Sequence, residues 1–133
     1  MNTLFFLTPK SEVCFLYDYF SVRQALEKME YHHYSRIPVL NKDGDYVGDI
    51  TEGDLLWFIK KNKLNIKNSE LYSISQIYSE RKLEKIKIDA DINELIRIIT
   101  TQNYVPVVDD RNKFIGIVTR TKVISYLKEK AGF

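Results

Sequence analysis

Apolar residues at Val22, Ala25, Leu26 and Met29 recur at the i, i+3, i+4, i+7 spacing of one helix face, and Ile92, Leu95, Ile96 and Ile99 repeat that spacing. Ser21 and Asp91 stand one residue ahead of each run, where a side-chain oxygen can accept from the unpaired N–H groups of a first helical turn. Beyond each predicted helix lies a short β-branched run, 37–40 and 105–108, which predicts a strand. Its proline suits a first strand residue or a sheet edge. Polar turns follow at 41–45 and 109–113, with Gly44 and Asn112 at matching places where a left-handed backbone is expected, and then a second strand closes a hairpin. Second helices are predicted from Thr51, with Leu55, Leu56 and Ile59 inward, and from Thr119, with Val123, Ile124 and Leu127 inward. Strand-like stretches at 13–17 and 85–88 precede the first helix of each set.

These two sets of elements are copies of one another. Residues 37–51 align without a gap on 105–119, with Pro38, Val39, Gly48 and Thr51 recurring as Pro106, Val107, Gly116 and Thr119. The second copy is two residues shorter between helix start and proline, which a shorter helix end or loop absorbs. Each copy reads as strand, helix, strand, strand, helix, so the fold class is α+β (α/β). The expected boundaries are a first unit at 1–62, a linker at 63–74 and a second unit at 75–133. The polar tether at 60–68 carries lysines 60, 61, 63 and 67, and an amphipathic stretch at Leu71, Ile74 and Ile77 follows. One copy alone buries too small a share of its surface to be comfortable as a free domain, so the two are expected to pack together.

Composition narrows the range of functions. With 133 residues, 44% hydrophobic and 29% charged, the chain can form a real core but not a two-domain dehydrogenase, a kinase or a barrel enzyme. Its 20 basic and 18 acidic residues are too nearly balanced to make nucleic acid or an anionic membrane the main partner. The lone Cys14 excludes an internal disulfide and suits a reducing compartment; it reads as a small core residue. No apolar run is long enough for a signal peptide or a membrane span, so a cytoplasmic protein is expected. His32 and His33 are adjacent and diverge on a helix, so no metal site is expected there. No nucleophile–base pair or glycine-rich phosphate loop supports catalysis, and an enzyme is not expected.

The order of elements, with Tyr34-Ser35-Arg36-Ile37-Pro38-Val39 at the first hairpin strand and Gly48-Asp49-Ile50-Thr51-Glu52-Gly53-Asp54 after the second, resembles the cystathionine β-synthase (CBS) domain, present twice. Thr8-Pro9-Lys10 and Ser75-Gln76-Ile77 resemble the lead-in segment of each domain. The resemblance implies two CBS-type β-α-β-β-α units packed sheet to sheet with pseudo-two-fold symmetry, forming a Bateman module with two clefts that commonly hold adenosine-containing ligands. Carried over by position, it implies that Asp54 holds the ribose diol, that Thr51 and Arg36 meet phosphate, and that backbone near Lys85, Ile86 and Lys87 meets adenine. Tyr34, Ser35 and Pro38 fall in the same fingerprint, and Thr119, Arg120 and Lys122 are the second unit's counterparts. Lys122 replaces the expected aspartate, so one competent cleft is implied rather than two.

The chemistry of these residues admits other readings. A carboxylate has only acceptors and can take both protons of a vicinal diol, but Thr-x-x-Asp also spells a capping box, and the two roles can coexist. Lys122 places a cation in a first helical turn, where the dipole disfavours it unless an anion binds there or solvent screens it. Arg36 could pair instead with Asp43, and Tyr34 or Tyr104 could stack on a purine. The first expectation is a non-enzymatic regulatory module for AMP, ADP or ATP, with no cofactor, acting as a homodimer through helix faces or on an effector protein. The alternative is a structural dimerisation module without bound nucleotide. A nucleic-acid role for the lysine-rich linker is disfavoured.

Overall fold

The computed structural model describes residues 2–78 and 83–133. The strands are β1 (Thr8–Pro9), β2 (Leu16–Tyr17), β3 (Arg36–Leu40), β4 (Tyr46–Thr51), β5 (Ile86–Lys87), β6 (Tyr104–Val108) and β7 (Phe114–Thr119). The helices are α1 (Val22–His32), α2 (Glu52–Asn62), α3 (Ile92–Ile99) and α4 (Arg120–Ala131). Helix α3 has 8 residues against 11 in α1, which is where the second copy loses length.

Two compact units result, and contacts divide them at different points from the repeat boundaries. One unit is continuous, Cys14–Lys82; the other is discontinuous, joining Met1–Val13 to Leu83–Phe133. In the continuous unit β2, β3 and β4 form a sheet in that order, with β2 and β3 parallel across α1 and β3–β4 an antiparallel hairpin. The discontinuous unit repeats this as β5, β6 and β7 and gains β1, so its sheet runs β1-β7-β6-β5.

The exchange of lead-in segments has a steric basis. Thr8 and Pro9 pair with Ile117 and Gly116, and a Cβ added at Gly116, whose φ is +155°, would lie 2.1 Å from the Thr8 carbonyl oxygen. Only glycine lets the β1 backbone approach so closely. Thr3, fully buried, donates to the Ala90 carbonyl at 2.9 Å and ties the same segment down. In the continuous unit, the second lead-in plays the corresponding part: Ile74 and Ile77 enter the core, and Tyr78 lies against Gly48. Leu71, expected to share that amphipathic face, is 80% exposed.

Both hairpins close in the same way. Asn41 Oδ1 accepts from the N–H groups of Asp43 and Asp45, and Asp109 Oδ1 accepts from those of Arg111 and Lys113. Gly44 and Asn112 adopt the expected positive φ, 85° and 66°. The prolines depart from expectation, because Pro38 and Pro106 lie inside the central strands β3 and β6. They are tolerated because the two-residue strands β2 and β5 pair only with Val39 and Leu40, and with Val107 and Val108, just beyond each proline.

Each unit has its own core. Leu16, Val22, Ala25, Ile37, Val39, Ile50 and Leu55 pack in the continuous unit, and Phe6, Ile86, Leu95, Val105, Val107, Val118 and Val123 in the other. Cys14 packs against the first of these cores as expected, and burial pushes its thiol up, with Lys28 pulling more weakly the other way. Leu56, Ile124 and Leu127, expected inward, face outward at 58%, 53% and 46% exposure. A helix against a sheet buries one stripe, and Leu55 and Val123 already occupy it.

Candidate ligand-binding site

The start of α2 follows from the chain's local chemistry. Thr51 is the last residue of β4 and the N-cap of α2. Its hydroxyl accepts from the Asp54 N–H at 2.9 Å, and Asp54 Oδ2 accepts from the Thr51 N–H at 2.9 Å, a reciprocal capping box. The other oxygen, Oδ1, takes no hydrogen bond among the described residues, and the side chain is half-buried. Arg36 begins β3 directly opposite Thr51 in the antiparallel register, so both side chains leave the same face of the sheet. The Ser35 carbonyl accepts from the Glu52 N–H at 3.0 Å and locks this corner. A hydroxyl and a partly unused carboxylate thus meet at a helix N-terminus, with Arg36 across the strand pair, an arrangement suited to phosphate and diol recognition.

Other positions from the sequence fall as follows. Ser35 is exposed, Pro38 is buried in β3, and Tyr34 is exposed and stacked on His32 at 5.4 Å between centroids. Arg36 makes no ion pair with Asp43 among the described residues. Tyr104 is buried and sits opposite Thr119, in the place that Arg36 holds in the other unit, so it has no open ring face to offer a purine.

In the discontinuous unit the named residues separate into two groups. Lys85, Ile86 and Lys87 lie beside the hairpin turn: Ile86 is buried, Lys85 donates to Asn112 Oδ1, and Lys87 pairs with Asp110 at 3.9 Å around a cavity of about 520 Å³. Thr119, Arg120 and Lys122 occupy the other end of β6, where Thr119 is opposite Tyr104. Thr119 caps α4 by accepting from the Lys122 N–H at 3.2 Å, with no carboxylate to return the bond. Arg120 Nε donates to the Ile99 carbonyl at 3.0 Å, which turns this side chain toward α3.

Two residues were passed over in the sequence. Gln102 is buried; its amide accepts from the Glu84 N–H and donates to the carbonyls of Glu84 and Tyr104, pinning the chain immediately before Lys85. Asp49 is 1% exposed in β4 and accepts from the Tyr46 hydroxyl. The available signal for Asp49 was a carboxylate in a strand whose repeat partner is Ile117.

The CBS domain model matches residues 9–61 and 74–129, and the chain belongs to the CBS domain family. It is 30% identical over 93% of its length to the uncharacterized protein MJ1225 of Methanocaldococcus jannaschii, and 29% identical over 86% to the A-adding tRNA nucleotidyltransferase of Aquifex aeolicus. The chain spans 49% and 13% of the lengths of those relatives. Among solved structures, CbpB in complex with c-di-AMP superimposes with a TM-score of 0.89, at 24% identity over 97% of this chain and 85% of that one. CBSX2 in complex with AMP superimposes with a TM-score of 0.75, at 26% identity over 97% and 98%. Among the described residues, no helix is long and apolar enough to cross a membrane.

Proposed function

We propose that this chain is a regulatory module without chemistry of its own, which binds an adenosine nucleotide of the AMP, ADP or ATP class. Asp54 takes the ribose diol through Oδ1 while Oδ2 continues to cap α2, and Thr51 and Arg36 face phosphate. Backbone near Lys85, Ile86 and Lys87 offers the adenine edge its hydrogen bonds, and Thr119, Arg120 and Lys122 supply a cationic counterpart that lacks a ribose anchor. The observation that carries this reading is the half-buried carboxylate with one oxygen unused, next to Thr51 and across the strand pair from Arg36. The match to the CBS family and the likeness to a protein solved with AMP support it. Ligand binding is read out by an effector protein or by a second copy of the chain, in a cytoplasmic setting.

Titration calorimetry of AMP, ADP, ATP and c-di-AMP, with 2′-deoxy-AMP as control, tests the reading. A carboxylate–diol contact worth about 1.5–3 kcal/mol predicts at least roughly tenfold weaker binding of 2′-deoxy-AMP, and of AMP to Asp54→Ala. Lys122→Ala weakens ATP more than adenosine. Equal affinities for AMP and 2′-deoxy-AMP remove Asp54 from the site. No heat and no thermal shift with any nucleotide leave the interaction module as the better description.

A further inference from the structure

Helix α2 turns Leu55, Phe58 and Ile59 to the core of its unit. At about 100° per residue, Trp57 then stands about 200° round from Leu55, on the side away from the sheet. Its indole is 62% exposed and takes part in no hydrogen bond among the described residues. The repeat counterpart in α4 is Ser125, so the fold itself does not call for an aromatic ring at this place.

Cations gather around that ring. Lys60 and Lys61, three and four residues on, share its side of the helix, and Lys60 Nζ lies 5.5 Å from the ring centroid. Lys63 closes the helix, and Lys67 precedes the short helical turn that follows. All four lysines are exposed, and none forms an ion pair among the described residues. Between Asp54 and Glu70 the chain has no acidic residue, and Glu70 is held by Arg23 at 3.1 Å. The near balance of 20 basic and 18 acidic residues in the whole chain hides this local excess. Leu56 and Ile66, 58% and 59% exposed, border the face on the side of the groove between α1 and α2, where Glu27, Glu30 and Glu52 lie; the lining of that groove includes neither Trp57 nor a lysine. The dipole at the end of α2 accounts for Lys60 and Lys61, but it reaches neither Lys67 nor the tryptophan.

We propose that this face of α2 docks on an anionic phospholipid surface. An indole suits the headgroup boundary, with an apolar body for the acyl edge and an N–H for a phosphate or ester oxygen. The lysine stems cover apolar surface while their ammonium groups reach lipid phosphate and carboxylate. Single-stranded nucleic acid also seeks lysines and an aromatic ring, but Lys60 already covers one face of this ring, and Leu56 and Ile66 offer a base nothing to stack on. Thr51 and Asp54 take no part, so the docking face stands apart from the nucleotide reading.

Trp57 is the one tryptophan of the chain, so its fluorescence reports on the contact directly. With the full chain and no nucleotide, vesicles of mixed phosphatidylserine and phosphatidylcholine shift the emission to shorter wavelength, shield it from acrylamide and carry the protein down on centrifugation. Vesicles of phosphatidylcholine alone do none of these, and raising salt from roughly 0.1 to 0.5 M releases the protein. Lys60→Glu with Lys61→Glu lowers the partition coefficient by at least roughly tenfold and Trp57→Ala by several-fold. Lys128→Glu with Lys130→Glu, an equal change of net charge on α4, lowers it by less than about twofold, and circular dichroism checks that each variant is folded. No sedimentation with phosphatidylserine vesicles overturns the proposal. Equal losses from the two lysine pairs overturn it too, because net charge rather than this face would then be responsible. An emission shift that grows with protein concentration without lipid gives the face to a contact between copies, and tighter binding of polyuridylate than of vesicles gives it to RNA; either result overturns the proposal.

Discussion

The two units build one scaffold and treat the head of its second helix differently. At α2 a hydroxyl and a carboxylate cap each other's backbone; at α4 the hydroxyl does the same work alone, with a lysine where the carboxylate would be. Since α4 forms a full 12-residue helix without that acid, the carboxylate is not required to start a helix in this setting. The hydroxyl belongs to the fold, and Asp54 is available for something else. Charge outside the sites divides the same way, acidic about the α1/α2 groove and basic along α4.

Substitutions at equivalent positions break or sharpen this comparison. The largest effect is expected where β1 crosses Gly116. Gly116→Ala drives a methyl into the Thr8 carbonyl, and a loss of about 3 kcal/mol or more in denaturant unfolding is expected. Gly48→Ala meets the Tyr78 ring at 2.9 Å and its carbonyl oxygen at 3.1 Å; because the ring can shift, the cost is smaller, near 1–2 kcal/mol by the same reasoning. Next, Leu55→Ala removes a side chain that is 2% exposed and should cost about 2–5 kcal/mol, whereas Leu56→Ala changes the stability of dilute protein by less than about 0.5 kcal/mol. Similar losses from both would return Leu56 to the core.

The helix heads come third. Thr51→Ala and Thr119→Ala should each cost about 1 kcal/mol. Lys122→Asp, which supplies the missing half of a capping box and removes a cation from the dipole's positive end, should stabilise by about 0.5–1 kcal/mol in thermal unfolding. If Lys122→Asp also adds a second nucleotide site in calorimetry, the difference between the units comes down to one residue. The smallest effect concerns Cys14. Its thiol is raised by burial, so iodoacetamide at pH 8 should react several-fold more slowly with folded than with unfolded protein.

Much of this was legible in the chain because it is local. N-caps at Ser21, Asp91, Thr51 and Thr119 depend on a hydroxyl or carboxylate reaching two or three residues ahead, and all four form. The Asn41 and Asp109 turns obey the same short range. At the candidate site, the proximity of Thr51 and Asp54 follows from their spacing, and that of Arg36 from the hairpin register. The role of Gln102 was hidden because its partners, Glu84 and Tyr104, include one that is 18 residues away.

What the sequence determined by itself was the duplication, the element order and the point at which each helix and turn begins, since these depend on contacts within a few residues. Tertiary structure decided the rest: that Thr8 and Pro9 complete the sheet of the second copy, that prolines can stand in central strands, and that Leu56, Ile124 and Leu127 face outward. An apolar arc on a helix can be wider than the single stripe a sheet covers, and only the packed neighbours select which part of it is buried.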